Sequence, residues 1–380
     1  MTMNLECVSE KDAERLSAAS SRVQIVERRL GWRRIDGGVI SSGRQSSGVF
    51  KDGRLVPGTR LHRQNAGEPI PPNGLDAKFI DKDVLFIGVF NSCWGHCITD
   101  SLKHLWFVMK KMPDEYQFLP KVYCTLAVGE QLPRNLIEML TLLGIDLQSA
   151  IRVDNSTKFR SVVVPDECFF TLEKPEPEIR CATPEYSDLV DYLIKAAGVC
   201  DTVSDSRKIY LSTSSFKPWD YGSNSLNRSF LAAGFEVVHP EKLGFAEMLR
   251  ILGEASVFAS TEGSCAHNSV FLRKGTKVLI LRKSHEIYWH QLAINRIREL
   301  SVTYVDSFIC SWLFMYDAKA PKIGPFFIWT NRRLANLLSI QSKFPFIDFI
   351  KYITFGVILH FGHKFGEWRR ATRTSQKKEV

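Results

Sequence analysis

Short apolar runs alternate with segments of helical periodicity along much of this sequence. An apolar run at residues 84–89 is followed by a helical pattern at 96–110, an apolar run at 121–125 and a second helical pattern at 132–143. Runs of this length predict buried strands, and the 3.6-residue periodicity between them predicts helices. The first half of the chain should therefore contain strands and helices in alternation.

The alternation is clearer after residue 207. Strands are predicted at 208–212, 235–239, 256–260 and 277–281, with helices between them at 226–233, 245–252 and 266–272. Repeated βαβ units of this size favour a parallel sheet covered by helices on both faces. Two such halves around a cleft would make a two-domain α/β enzyme.

Glycine and proline interrupt the pattern in two other segments. Residues 1–75 contain so many of them that we predict an irregular N-terminal region. Residues 165–184 contain four prolines among Glu and Lys residues, and we predict a linker there.

Charge and cysteine content exclude few classes of protein. Lys and Arg number 50 against 41 Asp and Glu, and the formal net charge of +9 suits phosphates, nucleic acid or an anionic membrane. The nine cysteines lack the paired spacings of a disulfide framework or a zinc site. Because the first 25 residues also lack the apolar core of a secretory signal, we expect reduced thiols and a cytoplasmic protein.

The first candidate site is the polar turn at residues 260–268, between a predicted strand and a predicted helix. Backbone N–H groups at a helix start attract anions, and Gly263 would let an anion approach the backbone closely. Neither a Gly-x-Gly-x-x-Gly turn nor a P-loop is present, so a phosphate would have to be held in this other way. An ordinary Gly-Ser turn that caps a helix is the alternative interpretation.

The second candidate site is the helical pattern that contains His96, Asp100 and His104, which share one helix face. A thioredoxin-like pair is disfavoured because three residues, and not two, separate Cys93 from Cys97. A metal site would need a further ligand from elsewhere in the chain. The remaining interpretations are a helix with a structural histidine and an acid–base or hydroxyl-binding role for His96 with Asp100.

Basic residues surround the predicted strand at 208–212 and the polar loop after it. They are Arg207, Lys208, Lys217 and Arg228. Cations that follow a sheet strand suit a diphosphate, although such charges are more often solvated surface.

Three groups of residues, in this order along the chain, carry a resemblance to a known family. The first is Asn91, Gly95, His96 and Asp100; the second is the segment 207–212 with Asn227 and Gly-Phe-Glu-Val-Val-His-Pro at 234–240; the third is Glu262, Gly263, Ser264, His267, Asn268 and Phe271. Together they resemble glycosyltransferase family 61 over residues 84–298.

The resemblance implies a GT-B-like fold, in which two Rossmann-like domains with parallel sheets face a cleft. It also implies a nucleotide-sugar donor and an inverting transfer with no cofactor and no obligatory metal. The predicted organisation is an irregular region at 1–75, an acceptor-side α/β domain at 76–180, a nucleotide-sugar-binding α/β domain at 181–305 and an apolar and basic C-terminal segment at 306–380.

An inverting displacement needs a base at the acceptor hydroxyl and positive groups at the leaving diphosphate. We predict His96 or Asp100 as the base, with Asn91 and Gly95 on the acceptor side. The predicted donor-binding residues are Lys217, Arg228, Glu262, Gly263, Ser264, His267 and Asn268. Many relatives have Arg, Glu and His where this chain has Thr213, Arg228 and Glu262.

The expected function is transfer of a sugar from a nucleotide diphosphate to a hydroxyl of a glycan or lipid-linked glycan in polysaccharide biosynthesis. We expect no nucleic-acid partner. The alternatives are a transferase of another group, such as pyruvyl, and a non-catalytic membrane-associated binding protein.

The C-terminal segment suggests an anionic membrane surface as a further partner. Residues 346–361 are apolar on most sides, carry Asp348 and Lys351, and are fewer than the ~20 residues of a spanning helix. Residues 364–380 add six basic residues against two acidic ones. We predict peripheral binding to the cytoplasmic membrane face. The alternative is a helix that packs across both domains and ends in a solvated tail.

Overall fold

The structure, a computed structural model, describes residues 2–61, 69–72, 77–172, 178–199, 207–309 and 325–376, with backbone alone from residue 363 onward. The strands are β1 (Thr2–Cys7), β2 (Val23–Ile25), β3 (Trp32–Asp36), β4 (Val39–Ser41), β5 (Gly48–Lys51), β6 (Arg54–Leu55), β7 (Lys78–Phe90), β8 (Lys121–Thr125), β9 (Ile151–Val153), β10 (Thr157–Pro165), β11 (Phe169–Leu172), β12 (Ile179–Ala182), β13 (Lys208–Leu211), β14 (Asp220–Tyr221), β15 (Glu236–Val238), β16 (Val257–Thr261), β17 (Lys277–Arg282), β18 (Ser301–Asp306), β19 (Phe308–Ile309) and β20 (Phe326–Ile328).

The helices fall between these strands. The α-helices are α1 (Glu10–Ser20), α2 (Trp94–His96), α3 (Asp114–Gln117), α4 (Arg134–Leu142), α5 (Pro184–Ala196), α6 (Ser223–Ala232), α7 (Phe245–Gly253), α8 (Trp289–Ile297), α9 (Arg332–Leu338) and α10 (Phe346–Gln376). A π-helical turn at Cys97–Ser101 and a 3-10 helix at Leu102–Met109 continue α2, and further 3-10 turns lie at Pro240–Lys242 and Ala266–Phe271.

The molecule is a mixed α/β fold with parallel sheets. Six parallel strands form one sheet in the order β1-β18-β17-β16-β13-β15. The four interior residues of strand β17 are all apolar because both faces of the strand are covered. Val278 and Ile280 pack into one core, whereas Leu279 and Leu281 pack into the core on the other face. A strand covered on both faces has no solvent side for polar residues to occupy.

The second sheet combines parallel and antiparallel pairs. Its order is β6-β5-β4-β10-β7-β8-β9, and β3 also pairs with β10. Strands β10, β7, β8 and β9 are parallel to one another. Strands β3 and β4 pair antiparallel with β10, and β5 and β6 continue the antiparallel pairing from β4. Two small sheets, β11-β12-β2 and β14-β20-β19, complete the pairing.

The strand and helix alternation predicted from the sequence is confirmed, whereas the irregular region at 1–75 is wrong for its described residues. Strand β1 pairs with β18 in the six-stranded sheet, and β3 to β6 extend the other sheet. Gly37 and Gly53 lie in the β3–β4 and β5–β6 turns with φ of 63° and 74°, where a left-handed conformation favours glycine. The glycines therefore mark tight turns between short strands.

The predicted linker at 165–184 is also wrong where the structure describes it. Strand β11 pairs with β12, and β12 pairs with β2. Pro165 is the last residue of β10 and Pro184 is in the first turn of α5, two positions that tolerate a missing N–H group. The other two prolines lie outside the described residues.

The parallel strands bring four loops of the sequence together. The segments that follow β7, β13, β16 and β17 all contribute residues to one cavity. This arrangement follows the general rule that open α/β sheets bind ligands at the carboxyl ends of their strands. Helix α10 packs against β14 and β20 beside this cavity. None of the described helices has both the length and the apolar composition needed to cross a bilayer.

Candidate active site

A cavity of about 430 Å³ lies where the segment after β7 meets the loops of the six-stranded sheet. Its lining residues are Cys93, Gly95, His96, Phe216, Lys217, Pro218, Trp219, Asp220, Gly263, Ser264, His267, Lys283, Tyr288, His290 and Phe326. The lining therefore includes six of the predicted site residues, drawn from parts of the sequence more than a hundred residues apart.

His96 lines this cavity, and one of its two ring nitrogens is hydrogen-bonded to Asp100. Its Nδ1 lies 2.7 Å from Asp100 Oδ2. The Asp100 side chain is fully buried, whereas that of His96 is 28% exposed. With the carboxylate as acceptor, Nδ1 carries the hydrogen and Nε2 is the nitrogen left to accept a proton.

Local backbone structure sets this pair. Asn91 lies in the turn before the helical run, where its Oδ1 accepts a hydrogen bond from the Cys93 N–H at 2.7 Å. The π-helical turn then places Asp100 beneath His96, and Thr99 Oγ1 lies 3.3 Å from the same carboxylate oxygen. A π-turn widens the helix, and such turns are frequent at functional sites.

His104, the third histidine of the predicted face, lies away from the cavity. It is fully buried, and its two ring nitrogens lie 2.8 Å from Pro165 O and 3.1 Å from Gly58 O. These contacts give His104 a structural role, which was one of the interpretations that the sequence left open.

The turn after β16 makes the other wall of the cavity. Gly263 has φ of 115°, a conformation that L side chains rarely adopt. This turn touches the helical run, since a Cβ added at Gly95 would lie 2.9 Å from Ser264 Oγ and 3.1 Å from His267 Nδ1. Glycine at position 95 therefore allows the start of the helical run to contact this turn directly.

Two lysines supply positive charge to the cavity. A Cβ added at Gly263 would lie 3.7 Å from Lys217 Nζ. Lys283 is almost completely buried, with Nζ 3.4 Å from Asp220 Oδ2 and 4.4 Å from the Phe326 ring centroid. The pKa of Lys283 is lowered, mainly by burial. The Asp220 charge opposes this effect, and the nearby Lys217 charge adds to it.

The sequence prediction missed Lys283 and Asp220. Lys283 directly follows β17, so its place after a buried strand is the signal that could have found it. Asp220 is held by Thr213, whose Oγ1 donates to its Oδ2 at 3.2 Å. Arg228, which was predicted to support the diphosphate, is exposed on α6 and lies outside the cavity lining.

Asn268 lies behind the wall that it was predicted to form. Its Oδ1 accepts a hydrogen bond from Trp94 Nε1 at 2.9 Å, and its Nδ2 donates to Cys265 O at 2.8 Å. It lines a neighbouring cavity of about 350 Å³, which shares Phe216 and Ser264 with the first. Asn268 thus ties the helical run to the turn after β16.

Glu262 was predicted to bind the donor but is buried beneath the turn. Its Oε1 lies 4.0 Å from Arg282 Nε. Burial raises the pKa of the Glu262 carboxyl to about 8, against the lowering effect of the Arg282 and Lys283 charges. Arg282 is shared with two other carboxylates, Asp12 at 2.9 Å and Asp306 at 2.6 Å.

We expect Glu262→Gln to stabilise the protein increasingly as the pH rises from about 5 to 8. A carboxyl whose pKa is raised from 4.5 in the unfolded chain to about 8 in the folded chain binds more protons when folded, so stability falls with pH across this window. Glutamine removes that dependence. The check is the difference in Tm between variant and wild type at several pH values.

The contrary result for this prediction is a Glu262→Gln variant that is less stable than wild type at pH 8. That outcome would mean that the carboxylate stays ionised and is held by Arg282.

The only Asp-x-Asp pair of the sequence lies outside the cavity lining. Asp83 accepts a hydrogen bond from Arg160 Nη2 at 2.8 Å, and Asp81 lies 3.5 Å from Arg160 Nη1. Arg160 and Ser161 lower the pKa of Asp83 to about 2. The part of the chain that the structure describes contains no group of three His, Cys, Asp or Glu side chains arranged to hold a metal ion.

Comparison with known protein families gives the class of this molecule. Residues 94–279, which include His96, Lys217 and the turn after β16, match the family model described as Glycosyltransferase 61. The chain is a glycosyltransferase. Its residues 94–279 form a glycosyltransferase family 61 domain, which confirms the family predicted from the sequence. No curated protein sequence matches the chain.

Proposed function

We propose that this glycosyltransferase moves a sugar from a nucleotide diphosphate donor to a hydroxyl of a glycan or lipid-linked glycan, with inversion at the anomeric carbon. One observation carries the proposal: His96, which is hydrogen-bonded to the buried Asp100, lines the same cavity as the two lysines. A single displacement needs these two kinds of group on opposite sides of the reacting carbon.

His96 is the proposed base. The acceptor hydroxyl gives its proton to His96 Nε2 while the acceptor oxygen forms a bond to the anomeric carbon. Asp100 accepts the Nδ1 hydrogen bond, keeps the ring in the required tautomer and stabilises the imidazolium that forms. The burial of Asp100 strengthens this interaction, since the pair is poorly screened by water.

Lys217 and Lys283 are the proposed ligands of the leaving group. As the bond between the anomeric carbon and the diphosphate oxygen breaks, the bonding electrons remain on the diphosphate. Two ammonium groups at the cavity wall stabilise that charge, and Ser264 and His267 add polar groups beside them. We propose that these protein groups replace a divalent metal in the reaction.

We further propose that the two sheets form a GT-B-like pair of Rossmann-like units, with the donor held mainly by the six-stranded one. Four of the loops at the cavity follow parallel strands, three of them in the six-stranded sheet. The exposed rings of Phe216 and Trp219 at the cavity offer apolar faces for a sugar or a base.

The proposed function is tested by thermal shift with a panel of nucleoside diphosphates and nucleotide sugars, each in the presence of a chelator. We expect one nucleotide to stabilise the protein by ~2.7 kcal/mol at 100 times its Kd. Gly263→Val should abolish the shift because a side chain there occupies space beside Lys217. Gly275→Val is the matched control, since Gly275 also has positive φ but faces open space.

Two results would contradict the proposal. One is the absence of a shift with every nucleotide, and the other is a shift that needs an added divalent metal. An equal loss in Gly263→Val and Gly275→Val would assign the effect to backbone strain.

A further inference from the structure

The outward face of α10 is apolar. Its exposed apolar side chains are Phe346, Ile347, Ile350, Val357, Ile358 and Phe361, which are between 37% and 71% exposed. At 3.6 residues per turn, these positions fall within an arc of about 120°. The exposed Lys351 lies at the edge of this arc, and Thr354 lies within it. A surface helix of a soluble protein normally turns polar residues to this side.

The inward face of the same helix packs against the rest of the protein. The helix is therefore docked, and the apolar residues of its outward face are a second apolar surface. Tyr352 is buried, and its ring centroid lies 5.7 Å from that of Phe327. Phe349 contacts Phe327 at 5.1 Å, and Phe355 stacks on Trp219 at 4.6 Å. The helix is therefore apolar on two sides, with one side fixed to the protein and the other exposed.

The helix lies directly behind the cavity wall. Successive residues of a strand point to opposite sides, and in β20 Phe326 lines the cavity whereas Phe327 packs against α10. Trp219 likewise lines the cavity and stacks on the helix. Whatever binds the outward face of α10 is thus held close to the cavity.

Exposed basic residues lie close in sequence to this apolar face. Arg332, Arg333, Lys343 and Lys351 are all exposed, and Asp348 is the one acidic residue between positions 332 and 351. The sequence at 364–380 continues the excess, with six basic residues against two acidic ones. Cations near an apolar helix face match an anionic lipid surface, because each cation is attracted to the negatively charged headgroups.

We propose that the outward face of α10 docks on an anionic membrane surface, with its apolar side chains in the headgroup region and its basic neighbours against the lipid phosphates. The charge excess favours this occupant over a second copy of the chain, because two such faces would bring like charges together. Docking would hold the cavity beside a lipid-linked acceptor. This consequence rests on the proposed glycosyl transfer.

The test is co-sedimentation of the full chain with vesicles of phosphatidylcholine, with and without phosphatidylglycerol. We expect binding to the anionic vesicles at low salt, weaker binding at high salt and little binding to the neutral vesicles. Ile347→Asp/Ile358→Asp should weaken binding at least about 10-fold, because two apolar side chains leave the interface. The matched control is Phe118→Asp/Val128→Asp, which makes the same charge change at two exposed apolar positions elsewhere.

Folding and self-association are followed on the same samples. The Tm of each variant shows that it is folded, and Lys343→Glu/Lys351→Glu should also weaken binding without any change in the apolar residues. The proposal is overturned if the wild-type chain ignores anionic vesicles, or if the two aspartate pairs have equal effects. It is also overturned if light scattering shows a dimer that Ile347→Asp/Ile358→Asp converts to a monomer while vesicle binding is unchanged.

The nucleoside diphosphate thermal shift is measured on every variant. If the wild-type chain shows the nucleotide shift but does not bind anionic vesicles, the membrane surface is rejected and the proposed function stands. Vesicle binding with no shift in any variant would reject the proposed function and leave the membrane surface standing.

Discussion

Replacing His96 by alanine lowers the turnover number by ~10² to 10⁴-fold, the range expected when a general base is removed. Nucleotide binding should remain, because the proposed role of His96 is at the acceptor hydroxyl and its hydrogen-bond partner is Asp100 and not a donor-side group. The check is steady-state kinetics beside nucleotide thermal shift on the same preparation.

Asp100→Asn separates a catalytic pair from a merely structural one. The amide keeps the size of the carboxyl but no longer stabilises an imidazolium, so we expect a lower turnover number with an unchanged nucleotide shift. If His96→Ala and Asp100→Asn both lose stability and nucleotide binding to the same extent, the pair serves the fold and the proposed base is wrong.

The second large effect concerns the leaving group. Lys217→Met should weaken the binding of nucleoside diphosphates and of inorganic pyrophosphate by about 10- to 100-fold, since a hydrogen bond to a charged group contributes ~1.5–3 kcal/mol. Lys283→Met should do the same. It is combined with Asp220→Asn because the lysine is the ion-pair partner of that buried carboxylate.

Isothermal titration with pyrophosphate measures this loss without any assumption about the base. Lys242→Met, at an exposed position outside the cavity, is the control for a general loss of positive charge. Equal weakening in Lys217→Met and Lys242→Met would show that the lysines act through net charge and do not contact the diphosphate.

The six-stranded sheet could be predicted from the sequence because its strands are short apolar runs separated by helices of regular period. Strand β17 is typical, since both of its faces are covered and its four interior residues are all apolar. Strand β1 could not be predicted in this way. Its partner β18 lies about 300 residues further along the chain, and local periodicity carries no information on such a pairing.

The candidate site was predictable where a residue type and its local spacing decide the geometry. His96 and Asp100, four residues apart on a helical run, did meet in the structure. Lys283 was missed because its role depends on the order of strands in the sheet. Glu262 shows the opposite error: its place in a polar turn suggested ligand contact, but its side chain is buried beneath that turn.

The most direct test of the central claim is the anomeric configuration of the sugar that the enzyme releases. With the donor that gives the largest thermal shift and no acceptor, water takes the place of the acceptor hydroxyl, and early NMR spectra show which anomer forms before mutarotation. A single displacement with His96 as base predicts the inverted anomer, at a rate that His96→Ala strongly reduces. Release of the retained anomer, or an unchanged rate in that variant, would contradict it.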